Sequence, residues 1–152
     1  MKKFSFKLQA VLKYRKHLEN LARQEAMKAL MDVNECRQMI EQMHKERQTL
    51  AEHIDRETAR GIPALLFRQY NDYMDSIEND IAFKEQEYVH LQKQLETKQQ
   101  QLTKKSVDRK VIERLREKKR SEYIEEMVAE EQKIADDISS LKKAREASHE
   151  LS

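Results

Sequence analysis

The chain-breaking residues of this 152-residue chain are concentrated at one point. Its single glycine, Gly61, and its single proline, Pro63, stand two positions apart in the stretch ETARGIPALLFRQY. Glycine adopts the left-handed conformation that ends a helix, and proline cannot continue a helix but can open one at its first turn. We therefore predict one tight turn at residues 61–63, between a helix over about 4–60 and a longer helix over about 63–147 that is followed by a flexible C-terminal tail.

The composition favours a helical fold. Charged residues make up 38% of the chain, aromatic residues 6%, and tryptophan is absent. The most frequent residues are strong helix formers, and such a mixture is typical of long helices or coiled coils rather than of a layered globular core. The predicted fold class is all-α, a single-domain antiparallel two-helix coiled coil in which helix two is the longer helix.

Two features of the sequence indicate the cellular compartment of the protein. No stretch of the sequence approaches the roughly 20 apolar residues that a membrane-spanning helix requires. A single cysteine, Cys36, cannot form an internal disulfide, which agrees with a reducing compartment. We expect a cytoplasmic protein that does not insert into the membrane.

Apolar residues recur every seven positions, as in a coiled coil. In helix one the series is clearest from residue 33 onward, as Val33, Ile40, Arg47 and Ile54 with Cys36, Met43 and Leu50. In helix two the series comprises Phe67, Met74, Ile81, Tyr88, Leu95 and Leu102. Nearer the N-terminus, a face made by Leu8, Val11, Leu18 and Leu21 follows a different frame. This change of frame predicts a stutter near residues 22–30.

A tight hairpin fixes which residues face each other. Residue i of helix one should lie opposite residue 123 − i, which pairs Leu8 with Leu115 and Val11 with Ile112. Residues beyond about 120 should extend past helix one, and a partner should cover them because an isolated helix is marginally stable in water. A parallel homodimer of straight helices could use the same heptads, although the Gly-x-Pro break would interrupt it.

The sequence predicts no catalytic, cofactor or metal site. One glycine is too few for a phosphate-binding loop or a dinucleotide fingerprint. The five histidines lack the spacing of a metal site. The carboxylate pairs, such as Glu125–Glu126, are expected to lie on solvated helix faces. We predict that the protein is not an enzyme.

Charge is unevenly distributed along helix two. The basic stretch KKSVDRKVIERLREKKR, residues 104–120, is followed directly by the acidic stretch EEMVAEEQKIADD. A basic helix before heptads is also found in bZIP proteins, but no regular leucine series follows here, and Glu113 and Glu117 interrupt the basic stretch. We therefore expect the basic stretch to bind an acidic protein surface rather than nucleic acid.

Two motifs resemble one known family. The opening FSFKLQAVLKYRKHLENLARQEA resembles the start of the bacterial flagellar export protein FliJ, and RKVIERLREKKRSEY resembles the lysine- and arginine-rich segment of its second helix. The Gly-Ile turn followed by aromatic residues also fits. The two motifs occur in the expected order on either side of one central break.

The resemblance implies a coiled coil similar to the central shaft of the rotary ATP synthases. Members of the family bind the hexameric ATPase of the flagellar type III export apparatus and promote its assembly and activity. They also link it to the membrane-embedded export gate and engage substrate-specific export chaperones. A position at the flagellar base is implied, peripherally associated with the cytoplasmic face of the inner membrane.

Family-based binding residues fall into two groups. The end that carries both termini would face the ATPase ring, through Phe4, Leu8, Val11, Lys110, Arg114, Arg116, Lys118 and Lys119. The aromatic residues after the turn would face the export gate, through Tyr70, Tyr73 and Ile77. The helix-one zone where the family places further gate contacts, about residues 39–50, has no tyrosine in this chain.

Two alternative functions remain open from the sequence. A general coiled-coil scaffold or an export chaperone would use the same helices without an ATPase partner. The equivalent stalk of a virulence injectisome would share the whole pattern.

Overall fold

A computed structural model describes residues 3–151, and these residues form two helices. Helix α1 is Gln9–Arg60 and helix α2 is Ala64–Glu150. The helices pack against each other in antiparallel directions, and α2 is the longer. The predicted all-α fold class is therefore confirmed.

The turn between the helices uses both chain-breaking residues. Gly61 has a φ of +84°, and its N–H donates a hydrogen bond to the Thr58 carbonyl at 3.1 Å. The Pro63 carbonyl accepts a hydrogen bond from the Phe67 N–H, also at 3.1 Å. Helix α2 thus begins at Ala64, one residue later than predicted, and Pro63 stands immediately before it. The Pro63 carbonyl accepts the first helical hydrogen bond.

The chain divides into two compact units. The first, here called the terminal unit, contains the residues up to 17 and those from 106 onward. The second, the turn unit, contains residues 18–105. In the terminal unit the buried apolar side chains are Leu12 and Ile112. In the turn unit they are Ala26, Val33, Cys36, Ile54 and Ile81.

Helix α1 has no stutter near residues 22–30. In the turn unit the side chains that face α2 follow one uninterrupted heptad frame, namely Glu19, Ala22, Ala26, Ala29, Val33 and Cys36. Glu19 is only 5% exposed and accepts a hydrogen bond from Arg23 at 3.0 Å. The predicted stutter is wrong because a carboxylate and three alanines hold positions where large apolar residues were expected.

Ion pairs on the flanks connect the helices in antiparallel register. In the turn unit, Arg47 pairs with Glu78 at 2.7 Å and Lys98 with Glu25 at 3.1 Å. In the terminal unit, the Arg15 guanidinium donates to the Asp108 carbonyl at 2.7 Å. These contacts follow the predicted pairing rule closely. Exposed ion pairs contribute up to about 1 kcal/mol each, so they help to set the register more than the stability.

Cys36 behaves as a small apolar core residue. It is 3% exposed, and its Sγ lies 3.7 Å from the Lys84 carbonyl oxygen. Burial, reinforced by the nearby Glu87 carboxylate, raises the pKa of the thiol. A hydrogen bond from Lys84 to Glu87, 3.0 Å long, raises the pKa of the ammonium group. Lys84 therefore stays charged at a position that faces α1.

Replacing the turn glycine tests the left-handed conformation. A Cβ added at Gly61 would have no atom within 4 Å, so Gly61→Ala meets no steric obstacle beyond its own backbone. We expect Gly61→Ala to lower the free energy of unfolding by about 1 kcal/mol, measured by urea denaturation. Gly61→Asn should lower the free energy of unfolding by less than Gly61→Ala, because asparagine tolerates the left-handed conformation better than alanine. An alanine variant as stable as the parent would contradict this account.

Candidate protein-binding surfaces

The N-terminal segment of the terminal unit is extended rather than helical. Helix α1 begins at Gln9, five residues later than predicted. Before it, Phe4 and Phe6 are half-buried, whereas the residues that alternate with them, Lys3, Ser5 and Lys7, are exposed. Alternating burial is characteristic of an extended segment lying on a surface. Here the two phenylalanines anchor the segment, and the Phe4 ring lies 5.6 Å from the Tyr123 ring on α2.

The extended segment lets a few residues cover a long piece of α2. An extended chain advances about 3.3 Å per residue and a helix about 1.5 Å. The four residues from Leu8 back to Phe4 therefore span about the same length as the eight from Leu115 to Tyr123. Contacts with the N-terminal segment consequently continue past residue 120 to Tyr123 and Glu126.

A pocket of about 500 Å³ lies between this segment and α2. Leu8 and Leu115 both line it, which confirms their predicted pairing. The lining also includes the aromatic rings of Phe4, Phe6 and Tyr123 and the charged side chains of Lys7, Lys119, Glu122 and Glu126. The pocket can therefore accept an apolar side chain while its rim contacts charges of either sign.

Val11 does not lie in the core as predicted. It is 37% exposed, whereas its neighbour Leu12 is fully buried and Ile112 is 7% exposed. The i, i+3 spacing of Leu8 and Val11 suggested that Val11 faces α2, whereas the buried stripe passes through the next residue, Leu12. Continuing the frame of Val33 back in steps of seven would have identified Leu12.

The predicted basic residues differ in accessibility. Lys110, Arg114 and Lys118 are exposed. Lys119 is exposed and lies 3.6 Å from the Glu122 carboxylate. Arg116 is half-buried, and its Nε atom is buried without a hydrogen-bond acceptor among residues 3–151. Lys110, Arg114 and Lys118 are therefore accessible to a partner.

The acidic interruption in this basic stretch is neutralised. The Glu113 carboxylate lies 2.6 Å from the Arg109 guanidinium and 3.7 Å from the Lys16 ammonium. Because Glu113 is paired on both sides, it weakens the positive potential of the surface less than its sequence position suggests.

A second candidate surface lies in the turn unit. Tyr70 is half-buried, and its hydroxyl lies 3.3 Å from His53 Nε2. Their rings meet edge to face at 5.7 Å. Tyr73 is 58% exposed. Tyr73 and Ile77 line a groove of about 630 Å³.

Helix α1 supplies eight of the twelve residues that line this groove, although its zone 39–50 lacks tyrosine. Met43 and Leu50 line the groove opposite Tyr73 and Ile77. A neighbouring depression of about 440 Å³ is also lined by Met43, together with Met39 and Phe83. Phe83 is 71% exposed and was missed from sequence because it lies outside both heptad series. Flexible methionines beside an exposed ring are common on protein-binding surfaces.

The comparison with family profiles identifies the chain. The profile described as Flagellar FliJ protein matches residues 4–148. The chain belongs to the FliJ family. The match includes the N-terminal segment, both helices and the turn, so both candidate surfaces fall within it.

A curated relative supports the same assignment. The Flagellar FliJ protein of Bacillus subtilis (strain 168) is 21% identical over 136 residues, covering 90% of this chain and 92% of the relative. No solved structure matches the chain. Family membership supports a role as a component of flagellar protein export.

Within residues 3–151, no helix has a segment that is apolar enough to cross a membrane. In the same part of the chain, histidine, cysteine and acidic side chains form no group of three that could hold a metal ion.

A cross-link tests the arrangement of the terminal unit. Leu8→Cys combined with Leu115→Cys should react with a short bifunctional thiol reagent within one chain at high dilution, because both side chains line one pocket. Non-reducing electrophoresis would separate this product from cross-linked pairs of chains. Leu8→Cys combined with Leu141→Cys is the matched control, since position 141 lies about 39 Å farther along α2. Intermolecular products alone would contradict the arrangement.

Proposed function

We propose that this FliJ family member is a non-catalytic stalk component of the flagellar type III export apparatus. It binds and activates the hexameric export ATPase and links it to the membrane export gate. The observation that carries the proposal is the family match over residues 4–148, combined with two chemically different surfaces that share no residue. Its proposed location is the cytoplasmic face of the inner membrane at the flagellar base.

The terminal unit supplies the proposed ATPase-binding surface. Its exposed cations, Lys110, Arg114 and Lys118, can attract acidic groups of a partner. A second part of the proposed surface is the pocket lined by Phe4 and Leu8, on the opposite side of α2 from Arg114, which can hold an apolar side chain of the ring. Aromatic anchors combined with surrounding charges are the usual composition of energetically dominant interface residues.

Activation requires contacts that differ between states of the ring. A ligand shifts a conformational equilibrium only by the difference in its affinity for the two states. A single chain bound to a hexamer cannot contact six subunits identically. It can therefore favour one conformation in the subunits that it touches. Binding of the chain would in this way be coupled to ATP turnover by the ring.

The turn unit supplies the proposed gate-binding surface. Tyr73 and Ile77 form one wall of the groove, and Met43 and Leu50 form the other. Tyr70 supports this wall through its contact with His53. The groove is mostly open to solvent at Tyr73, so a helix or loop of the gate protein could dock there without opening the helix pair. Substrate-specific export chaperones are proposed as further partners of the chain.

ATP turnover by the purified cognate export ATPase tests the main proposal. Adding the protein should raise the turnover rate and increase the fraction of hexameric ATPase, measured by a phosphate-release assay and by size-exclusion chromatography. Lys110→Glu combined with Arg114→Glu and Lys118→Glu should reduce the apparent affinity for the ATPase by about tenfold or more, because three attractions become repulsions. Circular dichroism should show unchanged helicity.

A control with the same change in net charge tests whether the site is specific. Lys28→Glu combined with Lys93→Glu and Lys45→Glu places three reversals on exposed residues of the turn unit and should leave stimulation intact. If neither binding nor stimulation occurs with the parent protein, a coiled-coil scaffold or an export chaperone becomes the better account. Equal loss in both variants would show nonspecific attraction.

The gate surface is tested separately. Tyr73→Ala combined with Ile77→Ala should weaken binding to the cytoplasmic domain of the export gate protein by about tenfold, measured by isothermal titration calorimetry. Stimulation of the ATPase should be unchanged. Phe83→Ala is an informative companion variant because it removes a ring that is 71% exposed in the adjoining depression. Gate binding that is insensitive to the Tyr73 and Ile77 changes would overturn the assignment.

A further inference from the structure

The outer face of α2 in the terminal unit carries a second heptad series that the helix pair does not use. Its members are all exposed and recur at alternating steps of three and four: Val107, Lys110, Arg114, Glu117, Ser121, Ile124, Val128, Glu131, Ala135 and Ile138. We call this set the outer stripe. It lies on the opposite side of α2 from Ile112, which is buried.

The apolar members of the outer stripe are strongly exposed. Val107 is 52%, Ile124 49%, Val128 59% and Ile138 61% exposed. A heptad series with apolar residues is the pattern through which helices associate. The stripe therefore has the periodicity of an interface although no element of residues 3–151 covers it.

Apart from Glu117, the charges along and beside the stripe change sign at residues 122 and 123. Basic residues, among them Arg114 and Lys118, precede this point, and acidic residues, among them Glu125 and Glu131, follow it. A helix that is basic in one half and acidic in the other is complementary to itself when two copies run antiparallel. A two-fold axis then places each basic half on the acidic half of the other copy.

We infer that two copies of this chain associate through their outer stripes as an antiparallel, two-fold symmetric helix pair. With the axis between residues 122 and 123, residue i of one copy lies opposite residue 245 − i of the other. Arg114 then faces Glu131, Val107 faces Ile138, and Ser121 faces Ile124 at the centre. Each of these pairs occurs twice, as a two-fold axis requires.

Residues beside the stripe strengthen this choice of partner. Lys118 flanks the stripe. It lies opposite residue 127 of the other copy, two residues from Glu125, and its long side chain can reach that carboxylate. A parallel pair would instead place Arg114 beside Arg114 and Glu131 beside Glu131, and like charges directly opposite each other are destabilising. The charge pattern thus selects the antiparallel pair.

The association is expected to be reversible and sensitive to salt. The paired segment, residues 107–138, is about 48 Å long, and a single helix-on-helix contact of this kind belongs among small, transient interfaces. Raising the salt concentration from about 0.1 M to about 1 M shortens the screening length from about 10 Å to about 3 Å. The dissociation constant should therefore rise with salt.

Sedimentation equilibrium of the full chain tests the inference. The average mass should rise with protein concentration from 18.2 kDa towards twice that value, and the dissociation constant should rise about tenfold or more at high salt. A mass that stays at one chain up to the solubility limit would overturn the inference, as would an association that is unaffected by salt.

A charge exchange between two variants gives the decisive result. Variant one carries Arg114→Glu with Lys118→Glu, and variant two carries Glu125→Lys with Glu131→Lys. Each alone should remain monomeric, because every charged contact of its two-fold pair becomes repulsive. An equimolar mixture should associate at least as tightly as the parent, because each mutated half then meets its oppositely mutated counterpart and each unchanged half meets an unchanged one. A mixture that stays monomeric overturns the two-fold antiparallel arrangement.

A matched control excludes an effect of net charge. Lys28→Glu with Lys93→Glu changes the net charge as much as variant one but at exposed positions outside the terminal unit, and it should associate like the parent. If it dissociates to the same extent as variant one, the association is nonspecific. All three variants change exposed residues, and circular dichroism verifies that each is folded.

The inferred pair would have a functional consequence that rests on the proposed function. Arg114 in the outer stripe and Lys118 beside it also belong to the proposed ATPase-binding surface, so a paired chain could not bind the ring with these residues. The two proposals are separable by experiment. A chain that stimulates the ATPase but never pairs overturns only the pairing, and a chain that pairs but never stimulates overturns only the proposed function.

Discussion

The narrow contact between two helices is the constraint on which the rest of this molecule depends. Each helix can bury one stripe, so among residues 3–151 only seven apolar side chains are buried. A core this small leaves little freedom in the register, because a shift that brings in the following residue would replace Leu12 with Lys13 or Ile112 with Glu113. It also leaves most of the surface available to partners, including apolar residues such as Phe83 that a globular core would have enclosed.

Charged side chains therefore take positions that a larger protein would fill with leucine. Glu19 is 5% exposed and bonded to Arg23, and Lys84 is held charged by Glu87. Removing Arg23 would take a cationic partner from the buried Glu19 carboxylate, which costs more than the pair contributes. Both pairs lie within a single helix and do not depend on the register. The register is instead favoured by the apolar contacts and by the interhelical ion pairs Arg47–Glu78 and Lys98–Glu25, which a shifted arrangement would break.

The sequence was sufficient for the fold class, the turn and the pairing of Leu8 with Leu115, because each depends on local chemistry or on a single reversal. It was insufficient where side chains of unexpected type hold regular positions. Ala22, Ala26 and Ala29 occupy heptad positions, but their small side chains made the heptad series look interrupted. Val11 was predicted to face α2, whereas Leu12 does. The extended segment with Phe4 was missed because its alternation covers only five residues, too few to compete with the adjoining helical pattern.

The same geometry explains why function must lie on surfaces in this fold. A helix pair encloses no deep cavity, so its chemistry is limited to the stripes and grooves that remain outside the interface. On α2 of the terminal unit these are unequal: one side carries the aromatic pocket of Phe4 and Tyr123, and the opposite side carries the outer stripe. Arg114 in the outer stripe and Lys118 beside it make this end of the stripe positive, and an acidic partner or the acidic half of a second copy can neutralise it. Helix α2 has one buried face, and a basic stretch is followed by an acidic one along it. An acidic partner and a second copy of the chain would therefore compete for the same cationic surface.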